Sequence, residues 1–149
     1  LPILEVTETS AAFSQSVIES NMHRLVEAGI TFSLDDYGSG YSNVVRMLGL
    51  PFDIVKFDKT LVDDMWDHDT HVVLAETISM MRQLGKKILV EGVETKEMMD
   101  FLVSEGCDYL QGYYFCRPLP ERDFIEYMQK QVLLLYQSHF ATSRPSLQE

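Results

Sequence analysis

Basic residues are scarce in this chain: 12 Lys and Arg stand against 23 Asp and Glu, for a formal net charge of −11. That balance disfavours non-specific attachment to DNA, RNA or an anionic membrane surface, so no polymeric nucleic acid is expected as a partner. It also means that a small anionic substrate needs a local cation to enter. Cysteine is sparse as well. Cys107 and Cys116 show no paired metal-ligand spacing, and two free thiols in a reducing, cytoplasmic compartment are expected. Long apolar runs are missing: the longest uninterrupted one, Val132 to Tyr136, is far too short to cross a bilayer, and no signal-peptide pattern opens the chain. This segment is expected to be soluble and to make no membrane contact.

What remains is an ordinary globular composition, with 46% hydrophobic residues over 149 positions, the length of one modest domain. The opening Leu1-Pro2-Ile3-Leu4-Glu5-Val6 reads as a strand already under way, so the sequence is expected to be a fragment. Helical periodicity covers 13–28, where Val17, Ile18, Met22, Leu25 and Val26 share a face and Gly29 follows as a stop. A strand is predicted over 30–35, a short helical piece over 43–48 closed by Gly49 and Pro51, and a strand over 54–58. The alternation continues with a helix over 70–84, a strand over 87–91, a helix capped by Thr95, a short strand over 109–111 and an amphipathic helix over 121–136. The polar tail, 137–149, is expected to be disordered.

Five strands separated by helical segments argue for a parallel α/β architecture with right-handed crossovers. A doubly wound sheet and a (β/α)₈ barrel both fit that order. Glu5, Asp35, Lys56, Glu91 and Gln111 each lie within or at the C-terminal end of a different strand. A barrel gathers such ends into one ring, whereas a doubly wound sheet uses chiefly those at its switch point. The expectation is therefore a (β/α)₈, TIM-type barrel represented by about its last five βα units. A whole barrel needs roughly 250 residues, so its N-terminal strands are expected upstream of Leu1.

The densest chemistry is in Ser33-Leu34-Asp35-Asp36-Tyr37-Gly38-Ser39-Gly40-Tyr41-Ser42-Asn43. Adjacent carboxylates raise one another's pKa unless a cation, strong donors or full solvation attends them. A hard divalent metal is one such cation; a solvated loop whose acids cap a following helix is the plainer alternative. Glu5, Asp35, Asp36 and Glu91 at three strand ends suit one or two Mg²⁺ or Mn²⁺ ions, or are ordinary surface acids. Lys56 alternates with apolar neighbours in Ile54-Val55-Lys56-Phe57 and points toward the barrel interior or top. There it could hold an attacking water, pair structurally with Asp58 or Asp36, or serve as a Schiff-base lysine. Glu94 could cap backbone amides of its own helix or of the Gly38-Ser39-Gly40 loop, where Gly38 and Gly40 permit positive φ and movement. Asp67-His68-Asp69-Thr70-His71 has the residues of a metal cluster, but its capping residues favour a solvated helix N-terminus.

Taken in order, Glu5-Val6-Thr7-Glu8-Thr9, Leu34 through Ser42, Val55-Lys56-Phe57-Asp58, Val90-Glu91-Gly92-Val93-Glu94-Thr95 and Gln111 through Leu119 resemble the EAL-type cyclic di-GMP phosphodiesterase domain. The likeness runs from Leu1 to about Tyr136. It implies a (β/α)₈ barrel that linearises cyclic di-GMP to pGpG with two Mg²⁺ or Mn²⁺ ions. By position, Glu5 and Asp35 would be metal ligands, Asp36 would serve the second metal, Lys56 would position the water and Glu91 would act as ligand or base. Glu94 would hold the mobile loop, and Gln111 would support the substrate end. Tyr37, Ser39 and Cys116 depart mildly from the family's usual Phe, Thr and Ser. The glutamate of the Glu-Ala-Leu signature and an asparagine ligand would lie upstream, so this stretch alone is expected to be inactive and to be part of a longer domain or associated through open barrel edges. A receptor that binds without cleaving is the alternative within the family. A receiver-type domain and an enolase-like barrel fit the motif order poorly.

Overall fold

The computed structural model describes residues 2–7, 15–38 and 49–141. Gly40 and the helical piece expected over 43–48 lie outside the described residues, as does the tail beyond 141. Five strands form one sheet, β1 (Ile3–Thr7), β2 (Thr31–Tyr37), β3 (Ile54–Phe57), β4 (Lys87–Val90) and β5 (Tyr109–Leu110), paired in sequence order with every pair parallel. The helices are α1 (Gln15–Glu27), α2 (Thr60–Asp63), α3 (His68–Gln83), α4 (Lys96–Glu105) and α5 (Glu121–Ala141). Parallel neighbours consecutive in the chain need a crossover each time, and that order is the beginning of a barrel wall rather than a doubly wound sheet.

Local chemistry explains the helix ends. Asp67 caps α3 by accepting from the Asp69 and Thr70 amides, so the helix starts at His68, ahead of the expected position. Thr95 caps α4 by accepting from the Met98 amide at 3.2 Å. Gly106 ends α4 in a left-handed conformation, φ 86°, which lets the Cys107 amide reach back to Leu102 O at 3.0 Å. α2 has no counterpart in the expected elements; four residues are too few to show a helical period. α5 continues to Ala141, past the expected end at 136.

The strands alternate between two environments. Phe32, Leu34, Val55, Phe57, Ile88 and Val90 belong to the hydrophobic core together with Leu74, Ile78 and Met81 of α3 and Met98 and Leu102 of α4. Ser33, Ile54 and Lys56, at the intervening positions, are buried but lie outside that core cluster. The chain divides into two compact units, Leu1–Phe115 and Cys116–Glu149, and the whole sheet belongs to the first. In the second unit, α5 exposes Phe124, Ile125 and Met128.

Candidate active site

One irregularity decides where the acids point. β2 pairs Leu34 with Val55 and Tyr37 with Phe57, so three steps along β2 match two along β3. The extra residue is a β-bulge, and Asp36 is left-handed there, with φ 59°, the only non-glycine residue at positive φ among those described. Aspartate tolerates that conformation better than most side chains. Without the bulge, strict alternation would put Tyr37 on the same face as Asp35. With it, Tyr37 is buried in the core and stacked on Phe57 at 5.4 Å, while Asp35 stays on the opposite face. Asp36 itself is exposed.

On that opposite face the Lys56 ammonium is the meeting point. Its Nζ lies 2.8 Å from Asp35 Oδ1, 3.0 Å from Glu5 Oε1 and 3.0 Å from Glu91 Oε1. Four neighbouring strands thus send one charged group each to the same point. The Lys56 side chain is only 11% exposed, against 53% for Glu5. Burial by itself would push the lysine pKa down; hydrogen bonds to Asp35, Glu5 and Glu91, with the charge of Glu91, outweigh it and hold the pKa well above the ordinary lysine range. Three carboxylates around one ammonium leave an excess of two negative charges.

The structural pairing with Asp58 weighed from the sequence is not formed. Asp58 accepts instead from the Thr60 amide at 2.9 Å and hydroxyl at 2.6 Å, which holds its pKa below the usual carboxylate value. Thr95 caps α4, and Glu94 Oε1 binds Lys59 Nζ at 2.5 Å. Gly38 has φ 98° and packs against Leu61. Gln111 follows β5 with an exposed side chain, and its backbone joins the loop after β4: its amide donates to Val90 O at 2.8 Å and its carbonyl accepts from the Val93 amide at 3.1 Å. Lys59 and Leu61 belong to none of the candidate site residues, and nothing local in Asp58–Leu61 signals contacts to two other loops.

The His-rich segment is a helix start. His71 Nδ1 lies 3.3 Å from Met65 O and its ring 4.6 Å from Phe101. Cys107 and Cys116 are free, and burial pushes the Cys107 thiol up to about 12, which makes it unreactive at neutral pH. Among the described residues, no three of His, Cys, Asp and Glu are arranged as a metal-binding cluster. The donor chemistry of Glu5, Asp35 and Glu91 nevertheless fits a hard cation, since the three offer only carboxylate oxygens and already converge on one positive charge.

A parallel barrel-type sheet with charged groups gathered at its strand ends is the pattern of an α/β-barrel domain. The sequence matches the EAL domain family over residues 3–118, and the chain belongs to that family. The cyclic di-GMP phosphodiesterase RocR of Pseudomonas aeruginosa is 35% identical over 126 residues, covering 84% of this chain and 32% of RocR. NbdA, a cyclic di-GMP phosphodiesterase of the same organism, is 35% identical over 127 residues, 85% of this chain and 16% of NbdA. Among solved structures, the PaMucR phosphodiesterase in complex with c-di-GMP superposes with a TM-score of 0.75 at 33% identity, covering 82% of this chain and 50% of that one. The EAL domain of Mycobacterium smegmatis DcpA gives 0.78 at 26% identity, over 86% of this chain and 58% of that one. The chain therefore spans a third or less of these two curated relatives and about half of the solved chains.

Proposed function

We propose that this chain supplies the C-terminal part of a cytoplasmic barrel domain that hydrolyses cyclic di-GMP to pGpG. The convergence of Glu5, Asp35 and Glu91 on Lys56, from four strands, is the observation that carries the reading. Bound Mg²⁺ or Mn²⁺, two ions held by Glu5, Asp35, Asp36 and Glu91, would supply Lewis-acid polarisation of a phosphoryl oxygen and an acidified water. All three Lys56 donors are engaged by Asp35, Glu5 and Glu91; ions drawing on those carboxylates would free one of them to orient a water, and the ammonium would offset charge that develops on phosphorus-bound oxygens. Glu91, whose Oε1 contacts the Lys56 ammonium at 3.0 Å, would serve as a ligand or as the base that accepts a proton from water. Gln111, which follows β5 with an exposed side chain, would support the substrate end of the ring.

Residues of this chain alone are expected to show negligible turnover, because the ring of strand ends is shared with the rest of the domain. The free edges of β1 and β5 support association with further strands, from the same protein or a second copy. The test is conversion of cyclic di-GMP to pGpG by the intact domain with Mn²⁺, followed by chromatography of the product. The reading requires linear pGpG and its loss on chelation. An intact domain that binds the dinucleotide and leaves it uncleaved overturns it in favour of a receptor.

A further inference from the structure

Asp35 lies near the end of β2 and Glu91 directly after β4, and one short turn touches the backbone that follows each of them. Asp58–Leu61 leads from β3 into α2, with Val62 fully buried beneath it. The Lys59 stem lies over Gly92: a Cβ there would sit 2.5 Å from Lys59 Cγ and 2.9 Å from Lys59 Cβ. Its ammonium reaches beyond that glycine to Glu94 Oε1 at 2.5 Å and back to Asp63 Oδ1 at 3.3 Å. Two residues on, the Leu61 side chain fills the space over Gly38, where a Cβ would fall 2.5 Å from Leu61 Cγ. Both glycines are at positive φ, 98° for Gly38 and 76° for Gly92, so each site combines a backbone conformation and a close approach that only glycine meets.

The backbone ties the same pieces together. The Asp58 amide donates to Tyr37 O at 3.1 Å, and the Glu91 amide donates to Phe57 O at 3.1 Å. Asp58 stiffens the turn by holding the Thr60 amide and hydroxyl. Lys59 and Leu61 thus leave one rigid turn in two directions, and each ends on a glycine next to a site acid's loop.

We propose that the Asp58–Leu61 turn is a brace that couples the loop after β2 to the loop after β4, with Lys59 and Leu61 as positioning residues for Asp35 and Glu91. Glu94 acts on the Gly38 loop through this brace, by way of Lys59 and Leu61. The functional meaning rests on the site reading above, but the coupling itself is a property of the fold and is measured without turnover.

The experiment is amide hydrogen exchange followed by mass spectrometry on the full chain, comparing segments 35–38 and 91–94 with the strand amides of Val55 and Ile88 as references. Glu94→Gln, on the far side of the brace, is expected to speed exchange at 35–38, and Leu61→Ala to speed it at 91–94. An exposed ion pair of this kind predicts about two- to fivefold for Glu94→Gln and for Lys59→Met. Leu61→Ala, which empties packed space, predicts about tenfold or more. Lys59→Arg, which keeps stem and charge, restores wild-type protection in both segments. The brace is overturned if each substitution loosens only its own loop, or if Lys59→Arg is as loose as Lys59→Met. Should Leu61→Ala unfold, seen as equal loss of protection at Val55 and Ile88, the variants at Lys59 and Glu94 decide alone. Loss of turnover with the coupling intact would count against the functional reading and leave the brace standing.

Discussion

The two faces of this sheet are built from the same strands and behave as opposites. Toward the helices, Leu34, Val55, Phe57, Ile88 and Val90 are all fully buried and belong to one hydrophobic core. One residue before or after several of these lie Ser33, Asp35, Lys56 and Glu91, which belong to the other face. The first face makes the fold stable, and the second concentrates charge where a sheet of this kind would otherwise place layers of branched apolar side chains. Stability and chemistry are thereby separated by a single residue step, and Asp36 at the bulge is where β2 switches the phase between them.

The largest effect that would break this division is expected on the apolar face. Phe57→Ala removes a fully buried ring stacked on Tyr37 and should cost about 3–5 kcal/mol of stability in denaturant unfolding. A cost near zero would mean that this face is not the load of the fold. One step along the strand, Lys56→Met should lower cyclic di-GMP turnover by the intact domain about 10²- to 10³-fold while circular dichroism still reports an α/β fold. Unchanged turnover would place the chemistry elsewhere.

Smaller effects sharpen the same contrast. Ser33 is 2% exposed and its hydroxyl has no hydrogen-bond partner among the described residues. Ser33→Ala should therefore raise stability by about 1 kcal/mol, read as a higher denaturation midpoint. Lost stability would reveal a partner for that hydroxyl. The smallest effect is in pH. The folded-state pKa of Lys56 is raised, so its contribution is fully present below the unfolded lysine value of about 10.4 and is lost as pH rises through the higher folded value. The unfolding midpoint of the wild type should fall above that point by more than that of Lys56→Met, whose polar face carries no such proton. Parallel alkaline profiles would contradict the assignment.

Much of the fold was legible from short-range signals. Strands were expected over 54–58 and 87–91, and β3 and β4 fall inside those ranges because apolar runs bounded by Gly, Pro and Asp are local features. The cap at Thr95 was legible for the same reason. The bulge was not. Asp35 and Asp36 are neighbours in sequence and invite reading as one acid pair, yet the extra residue in β2 gives them different surroundings. For Lys56, the sequence offered Asp58 and Asp36 as structural partners. Its partners Glu5 and Glu91 are far away in sequence, and parallel register alone makes them adjacent.

By itself, the sequence determined which residues alternate, which residues cap α3 and α4, and which strand ends carry acidic side chains. Those depend on side-chain period, on capping groups and on the conformational range of single residues. The tertiary structure decided which acids share one ammonium, which way Tyr37 turns, and that Lys59 and Leu61 rest on two glycines of separate loops. Each of those needs the lateral register of strands joined by long crossovers. Register is set by packing of the whole apolar face against the helices, and no local stretch of residues encodes it.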